Sequence, residues 1–85
     1  MSKKKILKAL EIPEEIGSNI TGINISGFSK IRIENYKSLV EYEKERIRIN
    51  TAEALICIEG KEFNISSVTD MFIEIEGRIS GIYFE

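Results

Sequence analysis

Hydrophobic and polar residues alternate along most of the chain, from about residue 20 to the C-terminus. The alternation is clearest where single charged residues separate isoleucines, at residues 31–33, 47–49 and 73–75. A period of two places successive side chains on opposite faces of an extended strand, so each segment is predicted to be a half-buried strand. Residues 54–59 are apolar on both faces through Leu55 and Cys57, which favours a central strand covered on both sides.

Turn-forming residues separate these segments. Short turns are predicted at residues 34–37, 43–45, 50–51, 59–62 and 66–67. Connections this short join antiparallel neighbours, because parallel strands need crossovers of a dozen or more residues. The sequence is therefore predicted to form a mainly β fold, a small antiparallel meander of about seven or eight strands that forms a barrel or a two-layer sandwich. A short β-solenoid is the alternative, because the isoleucine motifs are loosely repetitive.

Two glycines near the C-terminus give local expectations. Gly77 allows either a hairpin turn or a sharp bend within one long strand. Ile79 is odd-numbered, whereas Ile82 and Phe84 are even-numbered, so placing all three on the core face requires one extra residue between them. A β-bulge or kink is therefore predicted at Gly81; the other interpretation is that Ile79 faces the opposite side.

The N-terminal residues show a helical period. The apolar side chains recur at i, i+1 and i+4 with lysines opposite, and Pro13 ends the pattern. We expect one domain over residues 1–85, with a helical segment at 1–17 and a β domain at 18–85. The helix either packs on the sheet or touches an anionic membrane or a membrane-bound partner. Its candidate interaction residues are Lys3, Lys4, Lys5, Ile6, Leu7 and Leu10.

Composition excludes several kinds of catalytic and metal-binding site. The chain has 85 residues, no histidine and one cysteine, which excludes histidine-based catalysis, histidine-containing zinc sites and intrachain disulfides. A net charge of −2 makes nucleic acid an unlikely partner. No phosphate-binding loop or nucleophile–base pair is recognisable, so we expect no enzyme activity, catalytic residue, cofactor or metal. The N-terminus does not have the pattern of a secretory signal, so a cytoplasmic protein is expected.

One strand face carries the remaining candidate residues. Glu74 and Glu76 point to the same side and could in principle chelate a hard cation, but a solvated strand face is the ordinary explanation. Phe72 shares that face, opposite Met71 and Ile73. An exposed phenylalanine there would mark an interaction surface, whereas burial under the N-terminal helix is the other interpretation. Phe72 is therefore the seventh candidate interaction residue.

Five short motifs occur in order along the chain, at residues 10–13 (LEIP), 33–37 (IENYK), 47–51 (IRINT), 58–61 (IEGK) and 73–82 (IEIEGRISGI). In these motifs the chain resembles the YabP/YqfC family of bacterial sporulation proteins, and it is most similar to the YqfC branch. The resemblance implies a role in endospore formation in the mother cell, with no assigned reaction. In the YqfC branch it also implies a companion membrane protein.

Together, these observations predict a non-enzymatic protein–protein interaction or assembly module that acts during sporulation. The expected partners are a sporulation membrane protein and further copies of the chain as a homo-oligomer. The protein is expected in the cytoplasm of the mother cell, with peripheral contact to a membrane through the N-terminal helix as a further option. A small β-barrel that binds a ligand or nucleic acid is the alternative function.

Overall fold

The computed structural model describes residues 20–85. Six β-strands follow one another along these residues: β1 (Gly22–Ser26), β2 (Lys30–Glu34), β3 (Tyr36–Tyr42), β4 (Arg46–Thr51), β5 (Leu55–Val68) and β6 (Phe72–Phe84). The prediction of a mainly β fold is confirmed. The predicted N-terminal helix lies outside the described residues, and within 20–85 there is no helix long and apolar enough to cross a membrane.

All six strands belong to one antiparallel sheet in the order β1-β2-β6-β5-β4-β3. Strands β3 to β6 form the predicted meander, whereas β2 pairs with β1 and β6 and not with its successor β3. Because β1 and β3 are free edges of the described sheet, these strands do not close into a barrel. Antiparallel hairpins also differ from the stacked parallel coils of a solenoid, so that alternative is wrong for these residues.

The long hairpin of β5 and β6 is shared by two halves of the sheet. Residues 72–76 of β6 pair with β2, and residues 55–59 of β5 pair with β4. The hairpin therefore continues through two half-sheets, one containing β1 and β2 and the other containing β3 and β4. Strands β5 and β6 each replace two of the shorter strands expected from the sequence, which explains why the strand count is six.

The hydrophobic core lies between these two halves. A single flat layer cannot remove side chains from water completely, so full burial of residues from both halves requires the bent sheet to cover them from two sides. The halves are parts of one continuous bent sheet, and not two separate sheets. The fully buried core residues are Ile31, Ile33, Ile47, Ile49, Ile56, Ile58, Phe63, Ile73 and Ile75.

The sheet bends where Phe63 packs between two glycines. The β5–β6 register passes from Lys61–Arg78 to Asn64–Glu76, so that Glu62 and Phe63 together stand opposite Gly77. Glu62 has a φ of 58° and Gly77 a φ of 152°. This is a β-bulge, which bends a strand without ending it. The turn predicted at residues 59–62 is therefore wrong, and Gly77 is a bend within one long strand.

A second bulge confirms the prediction made for the last strand. Glu59 pairs with Gly81 and the next residue, Gly60, pairs with Ile79, which leaves Ser80 as the extra residue. Ile79 and Ile82 consequently both pack against the core. Phe84 does not pack against the core. Its side chain is 65% exposed, because it is the last residue of β6 and lies beside an open pocket.

The other predicted turns differ in accuracy. The turn at residues 43–45 is confirmed by a hydrogen bond of 2.8 Å from the Glu43 amide to the Arg46 carbonyl oxygen. The turns expected at 50–51 and 66–67 lie a few residues later, because β4 extends to Thr51 and β5 to Val68. Period-two patterns that run into polar residues do not reveal where a strand ends.

Candidate functional site

A sharp corner between β2 and β3 defines one side of the candidate site. Asn35 alone joins the two strands, and its φ of 62° is a conformation that asparagine tolerates better than most residues. Its backbone N–H donates to the Met71 carbonyl oxygen at 2.8 Å, and its side-chain amide donates to the Ile20 carbonyl oxygen at 2.7 Å. Residues 34–37 therefore turn the chain from one half-sheet to the other, and the hairpin turn predicted there is wrong.

The turn between β5 and β6 packs against this corner and forms the second side. The Thr69 hydroxyl accepts hydrogen bonds from the backbone N–H groups of Met71 and Phe72, at 3.1 and 3.2 Å. The Tyr36 hydroxyl donates to the Thr69 carbonyl oxygen at 2.8 Å. Side chains thus satisfy the polar backbone of the turn, which fixes the start of β6 relative to β3.

Phe72 and Arg32 form the centre of the site. The Arg32 guanidinium carbon lies 3.7 Å from the centroid of the Phe72 ring, which is a cation–π contact. Two carboxylates hold the guanidinium in place, at 3.2 Å from Glu34 and 3.2 Å from Glu74. Because the planar guanidinium is fixed by two acids, it stacks on the ring in one defined orientation.

These elements enclose an open groove of about 470 Å³. Its apolar surface comes from Phe72, which is half-buried, and from Met71, which is 67% exposed. Its rim is polar. An apolar centre with a polar rim is the usual composition of a protein-binding surface. The lining residues are Arg32, Glu34, Asn35, Thr69, Met71 and Phe72, and we call them the Phe72 groove.

The structure places the sequence-predicted interaction residues unequally. Phe72 lies at the centre of the groove, with one face of its ring covered by Arg32. Lys3, Lys4, Lys5, Ile6, Leu7 and Leu10 lie outside the described residues. Sequence reasoning missed Met71, which it placed on the core face with Ile73, because strand alternation starts only at Phe72. The available signal was the Thr69-Asp70 turn motif directly before it.

Glu74 and Glu76, the candidate cation ligands, form ion pairs with basic side chains. Glu74 binds Arg32 at 3.2 Å, and Glu76 lies 3.7 Å from the Lys30 ammonium. In the part of the chain that the structure describes, no three acidic or cysteine side chains are grouped so that they could hold a metal ion. The strand face that carries these glutamates therefore consists of ion pairs next to the Phe72 groove.

Two arginines on the other half-sheet are paired in the same way. Arg48 lies 3.1 Å from Glu85 and 3.5 Å from Glu41, and the hydrogen bond to Glu85 raises the pKa of Arg48. Arg46 lies 3.8 Å from Glu59, beside a second, polar groove of about 470 Å³ near the β3–β4 turn. Pairing of this kind neutralises the charge that a polyanion would need.

Cys57 is the chain's cysteine, and it is 4% exposed near the start of β5. Burial raises the pKa of its thiol, with the negative charge of Glu59 as a second cause. A protonated thiol is a poor nucleophile. This burial agrees with the central strand covered on both sides that the sequence predicts at residues 54–59.

Comparisons with known proteins identify a family match and a similar protein. A model of the YabP family matches residues 18–85. The chain is 28% identical over 82 residues to the "Uncharacterized protein YqfC" of Bacillus subtilis (strain 168), an alignment that covers 96% of this chain and 88% of that protein. No solved structure matches the chain. The resemblance stated from the five sequence motifs is confirmed.

Proposed function

The chain belongs to the YabP family, and on that premise we propose that it is a sporulation protein of the mother cell that acts as a protein–protein interaction or assembly module without catalytic activity. The single observation that carries the proposal is the Phe72 groove. It combines an aromatic ring, a stacked arginine and an exposed methionine on a fixed backbone. These are the residue types that are enriched where proteins bind one another.

The geometry of the groove suits a protein partner because little needs to be ordered on binding. Arg32 is already held by Glu34 and Glu74, so it loses little side-chain entropy when a partner covers it. Covering the groove would also remove water from the ion pairs, which strengthens the attraction within each pair at a cost in desolvation. We expect the partner to present an apolar side chain to Met71 and Phe72, with polar atoms around it.

The alternative, a small β-barrel that binds a ligand or nucleic acid, has less support. The described strands form an open sheet with no barrel interior. Arg32, Arg46 and Arg48 each lie within 4 Å of a carboxylate, so they offer little free positive charge to phosphates. Both observations favour the protein-binding proposal.

The partner that we propose is a sporulation membrane protein, as the family resemblance implies. The protein would then act in the cytoplasm or at the inner face of a membrane, and residues 1–17 would add peripheral contact through their lysines and apolar side chains. Removal of residues 1–17 would weaken sedimentation with membranes. It would leave the Phe72 groove unchanged if the two contacts are independent.

Site-specific crosslinking in sporulating cells tests the proposal. Benzoylphenylalanine would replace Met71, which lines the groove without supporting Arg32. We expect one specific adduct that forms during sporulation and is lost when Phe72→Ala is added. Phe84 is the matched control, because it is an equally exposed aromatic outside the groove. Absence of an adduct at position 71, or the same adduct at position 84, would contradict the proposal.

A further inference from the structure

The two free edges of the described sheet differ in how well they could accept another strand. The register of β3 with β4 is interrupted twice, between Tyr36 and Ser38 and between Leu39 and Glu41. The strand also carries Lys37 and Glu41. Bulges and charges are the usual devices that prevent pairing at an edge.

Strand β1 has none of these devices. It pairs with β2 over five consecutive positions without a register shift, and its sequence GINIS contains no charged residue and no proline. A regular, uncharged edge presents a row of unpaired backbone groups that can template another strand. In residues 20–85, β2 is the single strand that pairs with β1, so its outer edge is open.

Several exposed apolar side chains lie on or beside the same hairpin. Ile23 and Ile25 are 36% and 49% exposed on β1. Ile20 is 41% exposed just before the strand, and Phe28 is 82% exposed in the turn that follows it. These side chains leave apolar surface exposed to water on and beside this edge strand.

We propose that two copies of this chain pair through β1, antiparallel and centred on Asn24, so that the two sheets become one. This inference rests on the proposed function as an assembly module and names the surface through which the module associates with itself. The pairing is isologous, with the same strand on both sides of a two-fold axis.

The self-complementarity of β1 argues for a second copy as the occupant. In an antiparallel pair centred on Asn24, Ile23 of one copy stands opposite Ile25 of the other, and each pair occurs twice. The two exposed isoleucines of β1 thus meet apolar partners in both copies.

Neighbouring registers lose this match. Centring the pair on Ile23 places Ile25 opposite Thr21, and centring it on Ile25 places Ile23 opposite Gly27. A shift by one residue places isoleucine opposite a polar residue of the other face. Because β1 is uncharged, its own copy meets it without like-charge repulsion in the chosen register.

The pairing would also arrange the proposed binding sites. Residues directly opposite each other in an antiparallel pair lie on the same face of the sheet. The two Phe72 grooves would therefore open on one side of the joined sheet, separated across the strands by five strand spacings, about 24 Å. A partner with two copies of the recognised segment would gain affinity by binding both grooves at once.

Purified full-length protein tests the pairing. Asn24→Glu places two carboxylates opposite each other at the two-fold axis, while within one chain the new carboxylate stands opposite Arg32. We expect the wild-type chain to scatter light as a species of twice 9.7 kDa, and Asn24→Glu to raise the dimer dissociation constant at least about tenfold. The matched control is Ser38→Glu on β3, which should leave the dimer intact.

Disulfide crosslinking gives an independent readout that does not need the glutamate variant to fold. Asn24→Cys places two thiols opposite each other, whereas the native Cys57 is buried. Mild oxidation should yield a covalent dimer from Asn24→Cys and monomer from Ser38→Cys. A wild-type chain that is monomeric at every concentration would overturn the inference. This holds whether residues 1–19 or a strand of another protein occupies the β1 edge. A dimer that survives Asn24→Glu would overturn it equally.

The outcome for the Phe72 groove is separate. Phe72→Ala leaves the β1 edge unchanged, so it should remain dimeric while it loses the adduct at position 71. If the purified protein is monomeric but the adduct still forms in cells, the β1 pairing alone is wrong. If the protein is dimeric and no adduct forms, the proposed binding function of the groove is wrong.

Discussion

Replacement of Phe63 by alanine tests whether the bend in the β5–β6 hairpin holds the two half-sheets together. The ring is fully buried at the bend, where it packs between Gly60 and Gly77. A Cβ placed on Gly77 would lie 2.6 Å from the ring, and one on Gly60 would lie 2.7 Å from it. The ring thus occupies space that any side chain at these glycines would need.

The expected magnitude follows from this arrangement. Loss of a buried phenylalanine costs about 3–5 kcal/mol, depending on how far the neighbours can collapse into the cavity. Gly60 and Gly77 have no side chain that could move in, so we expect a cost near the upper end of this range. An 85-residue domain has a free energy of unfolding of about 4–13 kcal/mol, so Phe63→Ala should remove a large part of it.

Urea unfolding followed by far-ultraviolet circular dichroism measures the effect. We expect Phe63→Ala to lower the urea midpoint by about 2 M, given a typical denaturant slope for small domains. Phe84→Ala removes the same side chain from a position that is 65% exposed, so it should cost less than about 1 kcal/mol. If the two variants lose equal stability, Phe63 does not hold the bend.

Four further predictions concern Gly77, Thr69 and Cys57. Gly77→Ala should destabilise the fold by about 2–3 kcal/mol in the same urea assay, because alanine is strained at a φ of 152° and its methyl would collide with Phe63; an unchanged midpoint would refute this. Thr69→Val should cost about 1–2 kcal/mol, since two backbone N–H groups lose their acceptor, and it should also lower crosslinking from the Phe72 groove. Cys57 should react with a disulfide reagent far more slowly in the folded than in the unfolded protein. Because burial raises the pKa of Cys57, its protonated form is favoured by folding, so its contribution to stability should be constant below the ordinary pKa of 9.0 and decline at higher pH, as urea midpoints on either side of that value would show.

The sequence predicts those parts of the fold that depend on local alternation. Parity alone predicted an extra residue at Gly81, because Ile79 and Ile82 could share a face only if one residue was added, and the structure has it at the neighbouring Ser80. The buried faces of β2 and β4 followed from the same rule, and their isoleucines are fully buried. Antiparallel pairing followed from short connections, which leave no room for crossovers.

Features that depend on distant partners were not predictable in this way. Residues 34–37 have the composition of a hairpin turn, yet Asn35 directs the chain to a strand four positions away in the sheet. Gly60 and Gly77 look like turn residues, but a side chain at Gly77 would collide with the Phe63 ring, and one at Gly60 would collide with the Arg78 carbonyl oxygen and the same ring. The contact between Arg32 and Phe72 joins residues from β2 and β6, and no local pattern reveals it. Sequence alternation specifies faces, whereas strand order decides neighbours.

The shared hairpin of β5 and β6 has a mechanical consequence. Neither half-sheet is complete without it, because each half contains a different portion of the same two strands. Unfolding of one half would therefore strip the other of its central strands, so the described sheet should melt in a single step. A force applied at the Phe72 end of the hairpin would be transmitted along the backbones of β5 and β6 to the half-sheet that contains β3 and β4.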